Sequence, residues 1–184
     1  MQPRDVLSFW FGQPPKNWFR KNAAFDTEVR TRFGATIDAA LAGGLRDWDE
    51  QGAAATLARI LVLDQFTRNA WRGTPTSFAG DALALAAART LADSGAHLTL
   101  TVQQRSFAYL PFEHAEDAAM QSRAIALFTR LAAEHPGFDD SLDYARRHSD
   151  VIARFGRFPH RNAILGRAST PEETAYLAQP GAGF

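Results

Sequence analysis

Apolar residues return at helical spacing along almost the whole chain and alternate almost nowhere, a pattern that predicts an all-α fold. Pro3 and Asp5 open a short helix carrying Val6, Phe9 and Trp10, which Gly12 ends. Phe25, Val29, Phe33, Ile37 and Leu41 recur every four residues as one continuous stripe, stopped by Gly43-Gly44. Leu57, Ile60, Leu61, Leu63 and Phe66 predict a third helix, so apolar that it must be buried on several sides. Thr74-Pro75 predicts the start of a fourth, alanine-rich helix that runs to about Ser94-Gly95.

Thr101-Val102-Gln103-Gln104 fits the capping-box pattern and opens a fifth helix through Phe107 and Leu110, where Pro111 predicts a kink or a break. The helical pattern then runs from Phe112 to Glu134, with Ile125, Leu127, Phe128 and Leu131, and His135-Pro136-Gly137 closes it. Leu142, Ala145, Ile152 and Phe155 mark a seventh helix. Thr170-Pro171-Glu172-Glu173 supplies a Thr cap, a Pro at the first helical position and a Glu at the third, so a last short helix follows to about Ala178. The expectation is about eight helices packed as antiparallel hairpins in a single domain over residues 1–184, with no linker or low-complexity tract dividing it.

Composition changes this picture little, but charge distribution changes it locally. A chain of 184 residues suffices for one core. Its 20 basic and 20 acidic residues balance, so nothing in the overall charge points to nucleic acid or an anionic membrane. Between Tyr144 and Arg167, however, six arginines face the single acid Asp150. That excess of positive charge surrounds the most unusual stretch of the sequence. Cysteine is absent, which excludes disulfides, thiolate nucleophiles and cysteine-built zinc sites. The N-terminus lacks the layout of a signal peptide and no apolar run approaches spanning length, so the expectation is a soluble cytoplasmic protein with no membrane partner.

The unusual stretch is Arg154-Phe155-Gly156-Arg157-Phe158-Pro159-His160-Arg161-Asn162. Pro159 pushes Phe158 towards an extended conformation and Gly156 can take the left-handed conformation that ends a helix, which places the polar groups on a stiffened corner. Phe66-Thr67-Arg68-Asn69-Ala70-Trp71-Arg72-Gly73 echoes it earlier in the chain. An architectural account is available: Arg and Asn just past a helix end can bond its last unpaired carbonyls. A binding account is equally available, because arginine forks match carboxylate and phosphate. The favoured reading is a pocket lined by Arg68, Asn69, Arg72, Arg157, His160, Arg161 and Asn162 that holds an anionic small molecule or a peptide group. Asp64, at the end of an apolar run, requires a cation and is assigned to a structural ion pair, with Arg68 one turn on as the local candidate.

A different class of function, a hydrolase-type enzyme, would use His160 or His114 as acid/base with Glu113 orienting it. No nucleophile elbow, phosphate loop or dinucleotide fingerprint supports it, and no cofactor is expected. A metal held by His114, His148, His160 and nearby carboxylates is conceivable, but the spacing lacks the paired histidines of a zinc protease and no metal is assigned. Phe155 and Phe158 beside arginines would suit stacked bases, yet the basic area is small, and nucleic acid is not expected as a partner.

Four segments together, Val6-Leu7-Ser8-Phe9-Trp10-Phe11-Gly12, Leu63-Asp64-Gln65-Phe66-Thr67-Arg68-Asn69, Tyr109-Leu110-Pro111-Phe112-Glu113-His114 and Arg154 to Asn162, resemble the bacterial domain-of-unknown-function family 924. The resemblance covers essentially the whole chain. It implies a tetratricopeptide-like helical array and no assigned activity. Thr67 stands where the resemblance leads one to expect proline, which makes that corner less rigid than its C-terminal echo. The 34-residue tetratricopeptide consensus itself is not readable in the sequence.

Overall fold

The apolar stripes become helices, and no strand occurs among the described residues, 1–183, of the computed structural model. Eleven α-helical segments are present among them: α1 (Pro3–Phe11), α2 (Lys16–Phe19), α3 (Ala23–Leu41), α4 (Asp47–Glu50), α5 (Ala53–Leu61), α6 (Thr67–Ala70), α7 (Asp81–Asp93), α8 (Val102–Glu113), α9 (Ala118–Glu134), α10 (Asp139–Phe155) and α11 (Pro171–Leu177). Eight of these have seven residues or more, and α2, α4 and α6 are single turns. Residue contacts divide the chain into two compact units. One is residues 1–72 with 76–111, the other residues 73–75 with 112–184. No described helix is long and apolar enough to cross a membrane.

In the first unit the α3 stripe does what its spacing requires. Phe25, Val29, Phe33 and Ile37 are buried, and Phe33 meets Phe9 of α1 and Phe66 at ring-centroid distances of 4.8 and 4.7 Å. Trp10 packs edge-on against Phe107 of α8 at 5.6 Å. Rings at these separations gain about 0.5–1.5 kcal/mol per pair beyond their area burial. The third predicted helix is buried on every side from Ala55 to Thr67, but it is not uniform: between α5 and α6, Val62–Phe66 widens into a π-helical turn. A wide turn loosens the carbonyl ladder, and side chains take up the slack. The Thr67 hydroxyl donates to Leu63 O at 2.8 Å, and Arg68 Nη1 donates to Asp64 O at 2.7 Å.

The fourth helix begins later than expected. Thr74-Pro75 opens only a 3-10 turn over Pro75–Phe78, and α7 starts at Asp81 after Gly80. The reason is packing against the π turn: a Cβ on Gly80 would lie 2.1 Å from Leu63 O, so only glycine lets the backbone pass there. The expected capping box of α8 is present, with Gln104 N–H to Thr101 Oγ1 at 3.3 Å and Thr101 N–H to Gln104 Oε1 at 3.0 Å. Pro111 does not break that helix. It sits in the last turn of α8, and the break falls at residues 114–117, where Asp117 accepts from Met120 N–H and caps α9.

In the second unit α9 and α10 form a helical hairpin joined at His135-Pro136-Gly137-Phe138. Gly156 ends α10 with φ of +69°. Thr170 and Glu173 form the expected capping box of α11, with Glu173 N–H donating to Thr170 Oγ1 at 3.1 Å.

Candidate functional site

The two Arg-Asn corners use the same residue types for different bonds. In the first unit Asp64 is fully buried, with Arg68 Nη1 at 3.1 Å and Gln65 Nε2 donating to its second oxygen at 2.6 Å. Arg68 also forks onto Asp81, in the first turn of α7, at 2.8 and 3.1 Å. Burial works against the Arg68 charge, but Asp64 and Asp81 outweigh it and raise its pKa above the ordinary guanidinium value. Asn69 Nδ2 donates to Asp26 Oδ1 at 2.8 Å, and Arg72 closes a fork on the same carboxylate at 2.8 and 3.0 Å. The last carbonyl of α6, Ala70 O, accepts from Arg30, a residue on α3 that the sequence did not single out. Asn69, Arg68 and Arg72 thus tie α6 to the N-terminal turns of α3 and α7, where carboxylates are favoured by the helix dipole.

The second corner is a locked loop. Arg157 forks onto Glu173 at 2.7 and 2.9 Å and also donates to Ala168 O at 2.9 Å. Asn162 Nδ2 donates to Glu173 Oε2 at 3.2 Å and to Ser169 Oγ at 3.0 Å, while its Oδ1 accepts from Arg167 Nε at 2.9 Å. The Arg157 fork and the Thr170 amide hold the Glu173 pKa down at about 2. Arg167 in turn forks onto Glu116 at 2.7 and 2.9 Å, and Glu116 Oε1 accepts from Phe158 N–H at 2.8 Å. Burial pushes the Glu116 pKa up, yet the Arg167 fork and the Phe158 amide bring it below the ordinary carboxylate value. The sequence offered Glu173 only as a capping residue and gave no signal for Glu116, which finds Arg167 across 51 positions.

Held by this lock is a buried ring with an arginine and two imidazoles around it. Phe158 is fully buried, Arg161 lies over its face at 4.6 Å, and the His160 and His148 rings stand 5.6 and 5.5 Å away. Arg161 Nη2 donates to His114 O at 3.0 Å, just past the end of α8, and the His114 and His148 rings are 6.2 Å apart. Three histidines and an arginine therefore gather in the second unit. His148 is buried on α10, and its Nδ1 lies 2.8 Å from Tyr144 O and 3.2 Å from Glu113 Oε1. A carbonyl only accepts, so the neutral ring carries its proton on Nδ1. Burial, reinforced by the nearby His114, His160 and Arg161, pushes the His148 pKa down to about 3.

Of the residues named from sequence, Arg157, His160, Arg161, Asn162, His114 and Glu113 thus share the second unit, and Arg68, Asn69, Arg72 and Asp64 the first. The imidazole beside Glu113 is His148, a residue the acid/base reading had not used. Among the described residues no group of three or more His, Asp or Glu stands close enough to hold a metal ion. The sequence matches, over residues 6–181, the family model described as bacterial protein of unknown function (DUF924). A solved structure of a protein of unknown function, ATU0120, from Agrobacterium tumefaciens is similar over 96% of each chain, at 44% identity and a TM-score of 0.87. No curated protein matches.

Proposed function

This chain belongs to the bacterial family of proteins of unknown function DUF924, and from that premise we propose that its second unit binds an anionic group at His114, His160 and Arg161, around the Phe158 ring. The observation that carries the reading is geometric. Arg161 lies over the buried Phe158 ring at 4.6 Å and bonds His114 O at 3.0 Å, and the His160 ring stands 5.6 Å from Phe158, so three side chains able to bond an anion share one corner. Arg68, Arg72 and Arg157 contribute less to this reading, because their forks already close on Asp81, Asp26 and Glu173. His114 and His160 are half-buried, a setting in which charge-assisted bonds to a carboxylate or phosphate are strong without full desolvation. The ligand class is a small carboxylate or phosphate, or the carboxylate of a peptide.

Thermal denaturation tests it. A ligand that binds only the folded state stabilises by about 2.7 kcal/mol at a hundredfold excess over Kd, and each kcal/mol raises Tm by roughly 2–4 °C for a chain of this size. Phosphate should therefore raise Tm well beyond chloride at matched ionic strength. Both His160→Gln and Arg161→Lys should shrink the phosphate-specific part. Equal shifts with phosphate and chloride in the unmutated protein would leave the corner as architecture.

One contact supports a second reading, hydrolase-type acid/base catalysis: Glu113 against His148 at 3.2 Å. A carboxylate on Nδ1 leaves Nε2 to act as base. With its pKa at about 3, however, His148 is a weak base near neutrality, which ranks catalysis second. An esterase activity that vanished in Glu113→Gln and survived Arg161→Lys would reverse that order.

A further inference from the structure

The turn that follows α11 lies against the same histidine. A Cβ on Gly183 would come within 3.1 Å of His160 Cβ and 3.5 Å of its Cγ, so the backbone at Gly183 rests against the His160 side chain with little room for a side chain of its own. Gly183 and Gly181 have φ of +99° and +79°, the left-handed region that other residues enter only with strain. Gly181 turns the chain back after Pro180, and Gly183 completes the approach.

We propose that residues 179–183 form a strap over His160, so that entry of an anion to the corner depends on release of this turn. The proposal rests on the anion-binding reading above and adds its regulation. Gln179 N–H donates to Tyr176 O of α11 at 3.0 Å, and within the turn Ala182 N–H donates to Gln179 O at 3.2 Å. Gln179, Pro180 and Gly181 are exposed, and only Ala182 and Gly183 are half-buried. The anchor before it is firm by contrast. Glu173 of α11 is gripped by Arg157 and Asn162, and Tyr176 packs on Phe155 at 5.1 Å. A mostly exposed turn on a fixed anchor opens locally without disturbing the rest of the unit, which is what a gate requires.

The two glycines give separable tests. Gly183→Val places a side chain where the imidazole stands, and Gly181→Val strains the left-handed turn without a steric neighbour within 4 Å. In both full-length variants, carbethoxylation of His160 by diethyl pyrocarbonate, followed by mass spectrometry, should accelerate several-fold while His135, the internal reference, is unchanged. The phosphate concentration needed for a given rise in Tm should fall several-fold in the same variants. Unchanged labelling of His160 in both overturns the strap, whatever phosphate does. Faster labelling with an unchanged phosphate dependence of Tm, in a protein that does respond to phosphate, overturns the gate and leaves the anion site intact. Faster labelling with no phosphate response in any of the three proteins overturns the anion reading, and the gate with it.

Discussion

Asp64 and Asp26 are both carboxylates bonded to arginine, yet their surroundings assign them opposite weights. Asp64 is fully buried, and its partner Arg68 is mostly enclosed, so neither charge is solvated if the pair is broken. Asp64→Ala should cost about 3–5 kcal/mol in urea denaturation; a loss below about 1 kcal/mol would mean that Asp81 alone satisfies Arg68. The Arg72 side chain is 38% exposed, and Arg72→Ala should cost less than about 1 kcal/mol in the same assay despite its two-bonded fork. The need of Asp64 for a cation was legible in the sequence, because a carboxylate after Ile60-Leu61-Val62-Leu63 has no water to turn to. The share of Asp81 in that cluster was not legible, since it depends on where α7 begins.

At the scale of elements, the π turn and Gly80 are one feature seen from two sides. Gly80 has an ordinary φ of −87°, so alanine would suit its backbone; the obstacle is the Leu63 carbonyl, 2.1 Å from any added Cβ. Because a backbone group cannot swing aside like a side chain, Gly80→Ala should cost about 3 kcal/mol or more, at the upper end of overpacking. A denaturation midpoint unchanged by this substitution would show that the π turn yields. The α11 cap is milder. Thr170→Ala removes one capping bond and should cost about 1 kcal/mol, with faster amide exchange confined to α11 and the preceding loop. Caps of this kind are readable because Thr170, Pro171 and Glu173 act within four residues of one another. The wider turn at Val62–Phe66 is unreadable for the opposite reason: its sequence is an ordinary apolar helix, and only its neighbours set its pitch.

For the molecule as a whole, acid stability gathers two of these residues into one curve. His148 has a folded pKa of about 3 against an ordinary 6.5, so below pH 6.5 the unfolded chain takes up a proton that the folded one refuses. Stability should fall by up to about 1.4 kcal/mol per pH unit between pH 6.5 and about 3 on this account. Glu173, held at about 2 against an ordinary 4.5, adds its own loss as pH falls from 4.5 towards 2. Urea denaturation at a series of pH values should show His148→Asn flattening the upper limb and Glu173→Gln the lower one; a His148→Asn curve parallel to the parent between pH 6 and 4 would refute the buried neutral imidazole. The same molecule shows where sequence reasoning stops. Helical periodicity, proline and glycine punctuation and capping boxes act within a turn or two, and by themselves they determined the all-α class and the ends of most long helices. The residue types at the two corners were likewise visible, as was the concentration of arginine near His160. Beyond the local Arg68–Asp64 pair, what the arginines bond was decided by tertiary structure, because Arg167 meets Glu116 across 51 positions and Arg72 meets Asp26 across 46. No local rule carries that far, and two corners alike in sequence both came to hold arginine–carboxylate forks, while the second alone wraps a buried phenylalanine with Arg161 and two imidazoles.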